Sequence, residues 1–200
     1  MSPDAEGGLL TLEPLIEAVR EGLVAVGWEL SGLQKTTSHQ FKGRWEGDST
    51  RSAYLFFHDP DGPEWASVDV FLDETSQGLS GNLALVVDAG SLARLGDVRA
   101  ALGTLGGLAR EHLPREYRTP VTLRFRLERP DADPASADSE IRFKVRIPRA
   151  AIGKGAATVF AVASAAATAF RALLGVPRLH GFLESGPYGA ESDPGQDGTA

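Results

Sequence analysis

Hydrophobic and polar positions follow two different periods in the first half of the chain, which predicts a helix followed by strands. Apolar residues recur at helical spacing over residues 11–26, between a candidate N-cap at Thr11 and a stop at Gly27. A period of two then takes over in four segments separated by turns rich in Gly, Asp and Pro. Because short connections join antiparallel neighbours, the segments are predicted to form a meander. They are residues 35–46, 52–58, 66–73 and 79–88.

The second half of the chain adds a helix, a two-stranded hairpin and a last helix. The second helix is predicted at 97–113, with Asp97 as its N-cap and glycines at 103, 106 and 107 that permit close packing. The strands are predicted at 121–129 and 140–148, and the third helix at 152–174. The sequence therefore predicts an α+β fold: a single domain with an antiparallel sheet in the order α-ββββ-α-ββ-α and helices packed on the sheet.

Domain bounds and location follow from composition along the chain. Residues 1–9 are predicted to be a flexible N-terminus, 10–183 the domain, and 184–200 a disordered acidic tail rich in Gly, Pro and Ser. The N-terminus has no targeting signature, and the longest uncharged apolar stretch, 155–170, is too short and too rich in alanine to span a bilayer. We therefore expect a cytoplasmic protein with no membrane contact.

Composition excludes several kinds of chemistry. The chain has no cysteine, which removes disulfide frameworks and thiolate metal sites, and its net charge of -7 argues against attraction of nucleic acid by the whole surface. The four histidines are scattered, so the sequence predicts no metal site, no cofactor and no catalytic motif. An enzyme whose groups meet only in the fold stays open, with Glu46, His58 and Asp69 as candidates.

The predicted hairpin carries a concentration of positive charge. Residues 121–129 and 141–149 together hold seven basic side chains and one acidic side chain, in a chain that is acidic overall. On both strands the bases alternate with apolar residues, so they share the polar face. The candidate ligand- or partner-binding residues are Arg124, Arg126, Arg142, Lys144 and Arg146.

Two interpretations of this basic face remain open. It binds an anion, such as nucleic-acid phosphate, a phosphorylated ligand or an acidic segment of a partner. Alternatively it is a solvated strand face whose arginines pair with acids on neighbouring strands, and Asp69 and Asp73 lie on the polar side of their own strand.

A second basic and aromatic group lies in the meander. Base-stacking proteins combine these residue types on a sheet. The run from Tyr54 to Phe57, however, is apolar on both faces, which favours a central strand covered on both sides. The group contains Tyr54 and Phe56, and its other members are the secondary candidate binding residues Lys42, Arg44, Trp45 and Arg51.

The third helix is apolar nearly all round, which is typical of a helix buried on more than one face. We interpret residues 152–174 as the central core helix, with the interface of a homodimer as the alternative.

The order of elements over residues 10–175 resembles the fold of type III secretion chaperones and YbjN-type regulatory proteins. The resemblance lies in topology and acidic charge, without a diagnostic motif, and this chain has four strands before its middle helix where that fold has three. It implies a small, non-enzymatic protein, commonly dimeric, that binds other polypeptides. We therefore expect a chaperone-like or regulatory adaptor with a protein partner, and nucleic acid or another anion is the less favoured ligand.

Overall fold

The computed structural model describes residues 10–39, 49–115 and 121–184. Within them the helices are α1 (Leu12–Val24), α2 (Val98–His112), α3 (Arg149–Gly153), α4 (Ala156–Leu174) and α5 (Pro177–Glu184). The strands are β1 (Glu29–His39), β2 (Ser49–His58), β3 (Ala66–Thr75), β4 (Gly78–Ser91), β5 (Val121–Arg126) and β6 (Asp138–Arg146). The termini predicted to be flexible or disordered lie outside the described residues, apart from the end of α5.

The described strands form one antiparallel sheet in the order β1-β2-β3-β4-β6-β5. The meander is confirmed, since β1 to β4 are neighbours in sequence order. The hairpin joins the sheet through β6, which pairs with β4, and β5 lies at the edge. The predicted α+β single-domain fold is confirmed.

The core lies between one face of the sheet and the helices. α1 buries the apolar residues that set its helical period, and α4 packs closely along it. At their crossing the Ser164 hydroxyl donates a hydrogen bond of 3.0 Å to the Gly22 carbonyl. Alternate residues of the central strands complete the core, among them Leu55, Phe57, Val70, Leu85, Phe143 and Val145. The sheet therefore has one covered face.

The helix ends depart from the sequence prediction in two places. Gly155 has a φ of 94°, a left-handed conformation that favours glycine, and it separates α3 from α4 within the helix predicted at 152–174. Pro177 begins α5, because proline is tolerated in the first turn of a helix. Asp97 is the predicted N-cap of α2, and its carboxylate accepts from the Arg99 amide at 2.8 Å.

The glycines of α2 do not serve close packing. A Cβ at Gly103, Gly106 or Gly107 would meet no atom of the described residues within 4 Å. The prediction of a close contact there is wrong, because α2 buries Leu105 and Leu108 and leaves the three glycines exposed or half-buried.

α4 is central to the domain. By length and composition alone it is the one described helix apolar enough to cross a membrane, and 44% of its apolar stretch is buried inside the domain. Homodimerisation through the helix remains a prediction.

Candidate binding face of the sheet

Side chains on the second side of the sheet point away from the helices, and we call this side the open face. Along β2, Tyr54 and Phe56 are 38% and 39% exposed, while Leu55 and Phe57, which alternate with them, are fully buried. The sequence interpretation of this run as covered on both sides is therefore wrong. Within the described residues no helix packs over the open face.

Three aromatic side chains form one half of the open face. Phe71 on β3 is the direct partner of Tyr54, and their ring centroids lie 4.9 Å apart at an interplanar angle of 46°. Together with Phe56 they line a hollow of about 700 Å³ that continues toward Lys144 on β6. Exposed aromatic rings that form a contiguous patch are typical of interaction surfaces.

Arg142 lies at the centre of the open face, where carboxylates neutralise it. Its Nη2 donates to Asp69 Oδ2 at 2.8 Å across β4, and its Nε donates to Glu140 Oε1. The side chain is only 20% exposed. Arg142 is therefore paired with acids, although Asp69 lies two strands away and Glu140 lies on the same strand.

Burial raises the pKa of the Asp69 carboxyl above its ordinary value of 3.8, although the Arg142 guanidinium opposes the shift and Glu140 adds to it. A raised folded-state pKa means that the native protein binds this proton more tightly than the unfolded chain. The stability it contributes is present below that ordinary value and is lost as the pH rises through the folded pKa.

A comparison of pH profiles tests this assignment. Relative to Asp69→Asn, the wild-type protein is expected to lose free energy of unfolding as the pH rises above about 4. Urea denaturation of both proteins across the acid range measures the difference, in which the carboxyl groups that do not interact with Asp69 cancel. A relative gain by the wild type would instead show that attraction to Arg142 outweighs burial.

Arg124 and Arg126 occupy the same face at the edge strand β5. Arg126 contacts Asp138 at 3.3 Å, and both side chains are largely exposed, so this pair is weak. Arg124 lies opposite Glu140 in the register, and no carboxylate of the described residues is within ion-pair distance of it. The predicted basic face therefore contains both paired and unpaired cations.

The unpaired positive charge is densest at one end of the open face. Lys144, Arg146 and Arg149 line a second hollow of about 480 Å³, and none of them has a carboxylate partner among the described residues. Ser80, Asn82 and Thr122 line the same hollow and add neutral polar groups. We call these six residues the cationic corner.

The secondary candidates do not join this site. Arg51 lies on the helix side of the sheet, where it contacts Glu13 and Glu74, both at 2.9 Å. Lys35 and Arg51 together hold the pKa of the Glu13 carboxyl below its ordinary value. The other members, Lys42, Arg44 and Trp45, lie outside the described residues.

The candidate groups for an unrecognised enzyme are not brought together where the structure describes them. His58 lies 3.6 Å from Glu29, Asp69 pairs with Arg142, and Glu46 is outside the described residues. Among the described residues no three His, Asp or Glu side chains are grouped to hold a metal ion.

Two members of the site were missed at the level of sequence. Phe71 alternates with Asp69 and Asp73, so its place on the polar side of β3 was available from the period of two. Arg149 follows Pro148 and begins α3, so no strand period connects it to Lys144 and Arg146. Comparison of the chain with protein-family models, with curated proteins and with solved structures gave no match.

Proposed function

We propose that the protein is a non-enzymatic binding protein, a chaperone-like or regulatory adaptor that holds an extended polypeptide segment across the open face. One observation carries the proposal: exposed aromatic rings and cations without carboxylate partners share one sheet face, which no described helix covers. The resemblance to secretion chaperones, which rests on the order of elements, belongs to the same proposal.

The ligand chemistry follows from the two halves of the face. Tyr54, Phe56 and Phe71 offer ring surface to apolar side chains, and covering them removes apolar area from water. Lys144 and Arg146 offer charge to carboxylates. A segment that combines apolar and acidic residues satisfies both halves, whereas a basic segment is repelled.

Single-stranded nucleic acid is the second candidate, because aromatic rings next to cations are also the elements of a base-stacking surface. Three features disfavour it. Tyr54 and Phe71 pack against each other, and the Asp69 carboxylate lies between the aromatic rings and the cations. The net charge of -7 also repels a polyanion at long range.

Binding of labelled probes separates the two candidates. We expect a short peptide of alternating Phe and Glu to bind at least about tenfold more tightly than its Phe and Lys counterpart and than oligothymidylate. Fluorescence anisotropy measures each affinity between about 0.05 and 0.5 M salt. Tighter binding of oligothymidylate with a steep logarithmic salt slope would favour nucleic acid, and no binding of any probe would overturn both candidates.

Two variants of the open face localise the binding. Phe56→Ala and Lys144→Glu are each expected to weaken the acidic peptide by about tenfold or more. Arg126→Glu is the matched control for charge, since Arg126 lies on the same face next to Asp138 and away from the aromatic hollow. Equal losses in Lys144→Glu and Arg126→Glu would show that general charge, and not this site, attracts the peptide.

A further inference from the structure

We propose that the cationic corner is a subsite for a phosphorylated side chain of the bound polypeptide, an inference that rests on the proposed function. Lys144 and Arg146 point to the same side of β6 because they are two residues apart, and Arg149 joins them at the start of α3. The hollow between them holds three positive charges and no acidic side chain. Its neutral members contribute two hydroxyls and an amide.

The contrast with Arg142 and Arg126 on the same face carries the argument. Arg142 and Arg126 each have a carboxylate of this chain within ion-pair distance, in a protein with 27 acidic and 20 basic residues. The three cations of the corner have no carboxylate partner among the described residues. They repel one another, and a bound anion would relieve that repulsion. An anion bound in the corner takes the role that carboxylates of this chain have for Arg142 and Arg126.

The number of donors favours a phosphoryl group over a carboxylate. A carboxylate brings one negative charge and two oxygens, whereas a phosphorylated side chain brings a charge of about -1.5 to -2 and three strong acceptor oxygens. The three cations and three neutral polar groups of the corner match the larger charge and the three acceptor oxygens of a phosphoryl group. A hollow of about 480 Å³ has room for the group and the stem that carries it.

The register of the sheet sets the position of the phosphorylated residue in the ligand. Phe56, Asp69, Ala84 and Lys144 are direct partners across four neighbouring strands. Three strand spacings separate Phe56 from Lys144, which is about 14 Å. An extended peptide that crosses the strands covers this distance in about four residues, so the phosphorylated residue lies about four positions from the side chain that contacts Phe56.

Three peptides that differ at one position test the inference. Each carries an apolar segment and, four residues from a phenylalanine, serine, glutamate or phosphoserine. We expect the phosphoserine peptide to bind at least about tenfold more tightly than the serine peptide, with the glutamate peptide between them. Isothermal titration calorimetry with the full chain measures all three affinities.

Variants then assign the gain to the corner. Arg146→Gln and, outside the strands, Arg149→Gln are each expected to reduce the advantage of phosphoserine over serine to less than about threefold. Arg126→Gln keeps the full advantage, because Arg126 lies at the other end of the hairpin. Circular dichroism establishes that the exposed substitutions leave the fold intact.

The outcomes separate this inference from the proposed function. If serine and phosphoserine peptides bind equally well, the subsite is wrong and polypeptide binding stands. If no peptide binds, both are wrong. If inorganic phosphate or oligothymidylate competes as strongly as the phosphopeptide, the corner takes free phosphate or nucleic acid, and the assignment to a polypeptide side chain is overturned.

Discussion

Replacing Gly22 by alanine is expected to lower the free energy of unfolding by about 2–3 kcal/mol, because it forces apart the two most closely packed helices. A Cβ at this position would lie 2.8 Å from the Ala163 Cβ and 2.8 Å from the Phe160 carbonyl oxygen. The second contact is with backbone, so relief requires α1 to move away from α4. That movement also strains the hydrogen bond from Ser164 to the Gly22 carbonyl. Urea denaturation followed by circular dichroism measures the loss.

The same substitution at Gly103 is the matched control. Gly103 lies inside α2, and an added Cβ meets no described atom within 4 Å. Gly103→Ala is therefore expected to raise the free energy of unfolding by about 0.5–1 kcal/mol, through helix propensity alone. Opposite signs for the two substitutions would separate helix packing from propensity. A loss below about 0.5 kcal/mol in Gly22→Ala would contradict the close contact of α1 and α4.

Secondary structure could be predicted wherever a period persisted. β3 alternates between buried and half-buried residues over most of its length, and the sequence placed it within two residues of its observed bounds. β1 begins at Glu29, six residues before the predicted start, because a register shift between Leu30 and Gly32 interrupts the alternation. The sequence prediction has no helix after residue 174, because proline just beyond a helix favours its end, whereas Pro177 is the first residue of α5.

The site could be predicted only in part, because a period of two separates the faces of a strand without showing which face is covered. Lys144 and Arg146 were placed together correctly on the polar face of β6. Tyr54 and Phe56 looked like core residues, and their exposure depends on where the helices pack. Large aromatic side chains are usually buried. The exposure of Tyr54 and Phe56 follows only from the arrangement of the helices, which pack on the other face of the sheet.

Charge pairing depends on strand order, which explains the division of the basic residues. Asp69 was a candidate partner from its place on the polar side of β3, and it does pair with Arg142. That contact reaches diagonally across β4, because Asp69 is the register partner of Ala84 and Arg142 is the partner of Val86. Asp73, the other candidate, instead accepts from the Ser52 hydroxyl at 2.8 Å. Without the order of the strands, the sequence offered no way to choose between them.

Replacing Arg171 by alanine is expected to lower the free energy of unfolding by about 2 kcal/mol, because this side chain joins α4 to two loops. Its Nη2 donates to Asp59 Oδ1 at 2.6 Å and to the Gly27 carbonyl at 3.0 Å. Its guanidinium carbon lies 5.8 Å from the ring centroid of Trp28. Asp59 is only 13% exposed, so the substitution leaves a largely desolvated carboxylate without its cation. Chemical denaturation measures the loss, and tryptophan fluorescence reports the change around Trp28.

Arg178→Ala is the control for loss of a surface arginine near the same end of the molecule. Arg178 contacts Glu111 at 3.5 Å, and both side chains are more than half exposed, so its removal is expected to lower the free energy of unfolding by less than about 0.5 kcal/mol.

The buried Nε of Arg171 has no hydrogen-bond partner among the described residues, which offsets part of the stability that the other contacts of Arg171 contribute. The double variant Arg171→Ala with Asp59→Asn is therefore expected to recover about half of the loss, since the unpaired charge is then gone. Additive losses in the double variant would instead assign the effect of Arg171 to packing on Trp28.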